Sequence, residues 1–266
     1  MRIIVCVKQV PDTAEVKIDP KTGTLIREGV PSILNPDDAN ALELALQIKD
    51  VNPDTEIVLL TMGPKQAVTM LRECLAMGAD GAYLLSDRAF AGADTCATSL
   101  TLAAAIQKIG GYDLILAGRQ AIDGDTAQVG PQIAERLGLP QVTYVEHCII
   151  PDTKQTESLT VRRQLEDGYE TVEVTLPAVL TAVKELNQPR YMTLGGIVTA
   201  CDMEITVWSM QDLGLEAEEV GLKASPTQVY RSFAPPQKAG GVKLTGSVTE
   251  MVAKLVEELN QAHIIG

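Results

Sequence analysis

The sequence predicts an α/β domain on a parallel sheet, extended by antiparallel strands and followed by a C-terminal arm. Three observations carry this. Up to Pro140, short wholly apolar runs alternate with segments of helical periodicity, the pattern of strands buried on both faces. Beyond Pro140, strand-like runs follow one another across tight turns without helices between them. From about Gln211, prolines, glycines and isolated hydrophobics replace any regular period.

Arg2 to Val7 (RIIVCV) reads as a buried strand, and Asp37 to Lys49 as a helix with Leu42, Ala45 and Ile48 on one face. Glu56 to Thr61 is a second strand, Lys65 to Met77 a helix and Gly81 to Leu85 a third strand. A helix from about Asp94 to Ile109 has GADT in front and GG behind, start and stop signals respectively. Leu114 to Ala117 is the fourth strand, and a glycine-rich loop leads from it to a helix ending near Leu137-Gly138.

Val142 to Ile150, Ser158 to Leu165 and Tyr169 to Thr175 read as antiparallel strands, with EDGY as a hairpin turn. Ala178 to Val183 is another apolar strand, and Glu204 to Trp208 a last one. Ser247-Val-Thr-Glu250 is a capping-box pattern before a helix with Val248, Met251, Val252, Leu255 and Leu259 on one face. The chain thus divides into residues 1–210, the α/β domain, and 211–266, an arm with a terminal helix. Such an appendage either docks on another subunit or folds back on its own domain.

Composition narrows the function. The 266 residues are 45% hydrophobic, enough for a substantial core. A net charge of −13 without any basic stripe excludes a nucleic-acid surface. Five dispersed cysteines, none in a CxxC pair, and two histidines leave no material for a disulfide framework, a zinc site or a Ser-His-Asp triad. No run approaches the roughly 20 apolar residues of a membrane span, and MRIIVCVKQVPD has no signal-peptide architecture. The expectation is a reduced, cytoplasmic protein without membrane insertion.

Ligands of open parallel sheets bind at strand carboxyl ends, where strand order reverses. The loops after the first and fourth strands would flank that point: Lys8 to Asp12, and GRQAIDGDTAQVGPQ (Gly118 to Gln132). Gly118, Gly124 and Gly130 permit close backbone approach, and Asp123 or Asp125 could cap a helix with Thr126 and Gln128 in its first turn. Free amides at that helix start would suit an anion, although such a loop can also be a plain connection. Pro131 places the helix start either at Pro131 or near Thr126 with a bend. Lys8 and Arg119 are cations near these loops, and Cys6 reads as packing in its strand. The loop is neither GxGxxG nor a Walker A, so neither a dinucleotide fingerprint nor an NTPase is indicated.

Together, VKQVPD, NPDD, LTMGP, LAMGAD, LAGRQAIDGDTAQVG and VRRQLEDGYETVEVTLPAVLT (Val161 to Thr181) resemble the β subunit of electron transfer flavoproteins, along nearly the whole chain. The resemblance implies a Rossmann-like, adenine-nucleotide-binding fold of the HUP type, paired with an FAD-carrying α subunit. The implied pocket comprises Cys6, Lys8, Asn35, Pro36, Asp37, Asp38 and Met62, then Gly118, Arg119, Gln120, Ala121, Ile122, Asp123, Gly124, Asp125, Thr126, Ala127, Gln128 and Val129. Where the AMP-binding members have a bulkier run similar to AIDDDxNQTG, this chain has AIDGDTAQVG, which with FAGADTCATS looks like the electron-bifurcating group.

On that resemblance the ligand is FAD, with Asp94 and Thr95 near the flavin ring; the alternative is AMP, in a conventional β subunit that only scaffolds the α-subunit FAD. NADH would deliver hydride, ferredoxin would take one electron, and the α-subunit FAD would pass the other to a flavoprotein dehydrogenase of lactate or acyl/enoyl-CoA type. No protein acid or base is implied. LNQPRYMTL (Leu186 to Leu194) resembles the loop by which this subunit meets dehydrogenases, which makes Tyr191 and Leu194 the implied docking residues, and 211–266 would dock on the α subunit.

Overall fold

A computed structural model describes residues 1–12, 17–18, 25–26, 31–150, 157–228, 230 and 240–265. Residues 229 and 231–239 of the arm lie outside the described residues.

In chain order, β1 (Arg2–Cys6), β2 (Gln9–Pro11), β3 (Lys17–Ile18), β4 (Leu25–Ile26) and β5 (Ser32–Leu34) lead to α1 (Pro36–Val51). Then come β6 (Glu56–Met62), α2 (Val68–Met77), β7 (Gly81–Leu85), α3 (Thr95–Ile109), β8 (Leu114–Gly118) and α4 (Val129–Leu137). The later elements are β9 (Gln141–Cys148), β10 (Ser158–Leu165), β11 (Gly168–Thr175), β12 (Ala178–Ala182), α5 (Leu194–Asp202), β13 (Ile205–Trp208) and α6 (Val248–Gln261).

Nine strands form the main sheet in the order β11-β10-β9-β12-β8-β1-β6-β7-β13. Every pairing from β9 through β12 to β13 is parallel; β10 and β11 add an antiparallel edge. The expectation for Val142 to Ile150 is corrected in one respect: β9 runs antiparallel to β10 but parallel to β12. The cause is the return of the chain through β12, which inserts between β8 and β9.

The period-2 side-chain alternation of β1 places Ile3 and Val5 in one core, with α1 and α2, and Ile4 and Cys6 in the other, with α3 and α4. Local signals set the helix ends. Pro36 occupies the first turn of α1 beside Asp37 and Asp38, whose charges favour a helix N-terminus. Asp94 caps α3 by accepting from the Ala97 amide, and Gly138 closes α4 at φ 66°.

Chain progression from β1 runs through β6 to β7 on one side, while β8 and β12 lie on the other. The reversal therefore falls between β1 and β8, as the sequence predicts.

Part of the segment 211–266 packs on the α/β domain. Gln211–Leu213 and Gly221–Ala224 are 3-10 turns packed on the α/β domain, with Val220 buried in the α3/α4 core. The capping box of α6 is present, Ser247 Oγ accepting from Glu250 N and Glu250 Oε2 accepting from Ser247 N, and none of its residues is buried. Among the described residues no helix is long and apolar enough to cross a membrane.

Candidate functional site

A cavity of about 1040 Å³ opens at the carboxyl ends of β1, β6, β7 and β8. Of the expected pocket residues, Cys6, Lys8, Asp38, Met62, Asp94, Thr95, Gly118 to Ala121, Gly124 and Thr126 to Val129 line it. Asn35, Pro36, Asp37, Ile122, Asp123 and Asp125 do not. Those that carry polar side chains hold the loop from behind, as the hydrogen bonds show.

Asn35 donates from Nδ2 to the Gln120 carbonyl (2.8 Å) and accepts from the Ile122 amide at Oδ1 (3.1 Å), bridging 85 residues of sequence. Asp38 accepts from the Lys8 amide (2.8 Å) and the Gly118 amide (2.9 Å), fastening together the two strand ends that flank the reversal point. Burial pushes the Asp38 carboxyl up to about 7, against the opposing pull of Asn35 and those two amides. Asp37 sits 3.4 Å from Arg119, whose guanidinium also lies over the Tyr144 ring at 5.6 Å. Burial raises the Asp37 carboxyl, and Arg119 counters that. Arg119 thus meets an aspartate as well as the cavity.

Gly118 is required by this close approach. A Cβ there would overlap Asp38 Oδ1 and stand 2.7 Å from the Asp37 backbone. The start of α1 packs directly on the end of β8.

The loop itself differs from its expected capping. Asp123 pairs with Lys8 (2.7 Å), and Asp125 accepts from Gln120 Nε2 (2.9 Å), so neither caps α4. The helix starts at Val129 behind Gln128, which makes no side-chain cap, and Thr126 lies outside it. Pro131, third in the helix, loses no intrahelical bond there.

Asp125 (φ 50°) and Ala127 (φ 53°) hold left-handed backbone, an alternation that turns successive amides toward a common point. The amides of Thr126, Ala127, Gln128 and Val129 find no acceptor among the described residues. Around the site of a Gly124 Cβ there is nothing within 4 Å. The side chains of Arg119, Gln120, Asp123, Asp125 and Gln128 are used internally, and the amides of 126–129 are left free.

Asp94 is also committed. Besides Ala97 N, it accepts from Thr227 N (3.0 Å) and Thr227 Oγ1 (2.7 Å), and Ser225 Oγ accepts from the Asp94 amide. These donors hold its carboxyl below the usual range against a burial effect of opposite sign. Thr95 Oγ1 donates to Gln128 Oε1 (2.9 Å) and so ties α3 to the loop. Cys6 is a buried thiol at the cavity floor that burial pushes up to about 12, the state of a packing residue.

Sequence reasoning missed Lys65, Arg88, Phe90 and Thr227, which line the cavity too. The first three follow strand carboxyl ends, so the rule that found the glycine-rich loop could have found them. For Thr227, three residues past the 3-10 turn Gly221–Ala224, no signal exists.

Across the molecule, Leu186 to Leu194 is not wholly a loop. Leu194 opens α5, capped by Thr193 Oγ1 accepting from the Gly196 amide. Tyr191 and Leu194 are 91% and 80% exposed, beside Ile197 and Val198 on the helix. Below them, Arg190 is clamped to α1: its Nε and Nη2 donate to buried Glu43 at 2.9 and 3.0 Å, and Nη2 also meets Asp50 at 2.6 Å. Asn40 Nδ2 donates to the Asn187 carbonyl at 2.8 Å.

This architecture, with a large cavity at the strand reversal and a loop of free amides beside it, defines a Rossmann-like α/β protein of the nucleotide-binding kind. A family model described as "Electron transfer flavoprotein domain" matches residues 22–213. The chain is 67% identical over 266 residues, the full length of both, to the caffeyl-CoA reductase-Etf complex subunit CarD of Acetobacterium woodii. It is 55% identical over 265 residues, again all of both chains, to an electron transfer flavoprotein subunit beta of Clostridium acetobutylicum. The acryloyl-CoA reductase electron transfer subunit gamma of Anaerotignum propionicum is 48% identical over the full lengths. The chain belongs to the electron transfer flavoprotein family, as a β subunit.

Proposed function

We propose that this chain is the β subunit of an electron-bifurcating electron transfer flavoprotein and holds FAD in the cavity at the β1/β8 reversal. When bound there, FAD supplies the chemistry of accepting hydride from NADH and dividing the electrons between ferredoxin and, through the α-subunit FAD, a partner flavoprotein dehydrogenase.

The residues fit such a nucleotide. The unpartnered amides of Thr126 to Val129 are donors for phosphate oxygens, and the space beside Gly124 admits the chain beyond them. Asn35 and Asp38 position this loop through its backbone, and Asp94 and Thr95 fix the adjoining wall. The observation that carries the reading is the cavity volume of about 1040 Å³. It reaches the top of the range of about 300–1,000 Å³ that suits drug-sized ligands, which favours a full dinucleotide over AMP. The apolar walls, Phe90 and Leu102 among them, suit a flat ring system and exclude water.

Tyr191 and Leu194 form the dehydrogenase-docking point, and the exposed apolar stripe of α6 docks on the α subunit. The names of the relatives from Acetobacterium woodii and Anaerotignum propionicum favour a CoA reductase over a lactate dehydrogenase as the partner.

The test is cofactor stoichiometry of the purified α/β pair. Two FAD per pair and bleaching by NADH are expected. One FAD and one AMP, with no bleaching, would mean a carrier whose β subunit only scaffolds the α-subunit flavin.

A further inference from the structure

The chain carries net charge −13, and nearly every described Lys or Arg side chain of residues 1–228 meets an acceptor. Arg2, Lys8, Lys49, Arg119, Arg162, Arg163, Lys184, Arg190 and Lys223 meet carboxylates. Arg72 and Lys108 donate to backbone carbonyls, and Arg136 to Ser99. Two are left over. Lys65 and Arg88 have no hydrogen-bond, ion-pair or ring partner among the described residues, and both line the large cavity.

They stand after β6 and β7, on the other side of β1 from the loop that follows β8. Asp87, beside Arg88, does not neutralise it: its oxygens accept from the Ala89 amide (3.0 Å) and the Met210 amide (3.1 Å). The cavity therefore has two anion-seeking parts: free amides at the loop, and two free cations on the other side of β1.

We propose that Lys65 and Arg88 bind the pyrophosphate of the pyridine dinucleotide that delivers hydride, a second anionic ligand held apart from the phosphates on the loop. This rests on the reading of the site as a flavin pocket. A hydride donor must lay its nicotinamide against the flavin while its two phosphate charges approach an acidic protein. Cations at the cavity edge offset that repulsion and steer the approach. An ammonium on a flexible stem and a forked guanidinium suit mobile phosphate oxygens at an exposed rim, whereas rigid amides suit a resident cofactor.

The experiment titrates NAD⁺, and separately ADP-ribose, into the oxidised, flavin-loaded α/β pair by calorimetry. It compares wild type with Lys65→Gln, Arg88→Gln and the double variant; Lys223→Gln, an exposed cation off the cavity, is the control. Each cavity substitution is expected to weaken both ligands about tenfold, or ~1.4 kcal/mol, and to flatten the salt dependence of binding, with flavin content unchanged. Undiminished affinity in the double variant overturns the proposal. A parallel loss of flavin overturns it too, because the cations would then hold the resident nucleotide. If NADH fails to bleach the wild-type pair, the bifurcating reading falls, but NAD⁺ binding requires no electron transfer and still decides this assignment.

Discussion

The loop 118–130 and the segment 187–202 are anchored to the same helix and expose opposite chemistries. At the start of α1, Asn35 and Asp38 hold the loop through its backbone, so that its remaining amides stay free. Along the next turns, Asn40, Glu43 and Asp50 hold Asn187 and Arg190, so that Tyr191 and Leu194 stand clear. One region offers donors without side chains, a surface for a small anion. The other offers apolar side chains over a fixed base, a surface for a protein. Polar residues of α1 that look like ligands in sequence are in both cases the fasteners.

The comparison breaks most completely at Gly118. Gly118→Ala forces a methyl group into Asp38 Oδ1 and the Asp37 backbone, where no flexible side chain can yield. The expected cost is about 1–3 kcal/mol of stability, with loss of most nucleotide from the 118–130 loop. Cofactor analysis of the purified pair and its thermal midpoint measure both. Docking at 187–202 should survive in whatever fraction stays folded. Retention of full cofactor content would mean that α1 does not set the loop.

Glu43→Ala tests the other anchor and should act more mildly. It removes the acceptor for the Arg190 amide and guanidinium, leaving Asp50, itself well exposed, as sole partner. Arg190 is about one-third exposed, so water replaces part of the loss. A drop of about 1–2 kcal/mol is expected. Electron delivery to the dehydrogenase should fall several-fold while flavin content holds. Equal loss of flavin and of transfer would show that the two regions are one cooperative unit.

How much of this was legible in the sequence follows from the range of the forces involved. Gly81 to Leu85 and Ser158 to Leu165 were placed to the residue, because burial period and turn chemistry are local. The reversal point followed from alternation of strands and helices. α5 was not legible: Leu194-Gly-Gly is a poor helix former. Its helix forms through distant contacts. Arg72 donates to the Ala200 and Met203 carbonyls at its end, and only a glycine at 196 fits against the Ala76 carbonyl. The roles of Asn35 and Asp38 were hidden for the same reason. A cap-like NPDD motif reads alike whether it faces a ligand or a loop some 80 residues further along the chain. The packing of 211–225 is not legible either, because its buried residues, Val220, Gly221 and Ser225, are too sparse to show any period.

The gentlest substitution sharpens the contrast furthest. Leu194 is 80% exposed at the first position of α5, where its side chain supports neither core. Leu194→Ala should change stability by less than about 0.5 kcal/mol, and alanine suits the helix start at least as well. Flavin content and NADH bleaching should match wild type, since the loop 118–130 and its anchors are untouched. What should fall is the rate of electron delivery to the dehydrogenase, because in the proposed docking role the lost apolar surface would be buried in that encounter. Stopped-flow transfer at several dehydrogenase concentrations separates the effect. A higher half-saturating concentration with an unchanged limiting rate is the signature of docking. Loss of flavin or of folded protein would instead place Leu194 among the fasteners and remove the distinction between the two regions.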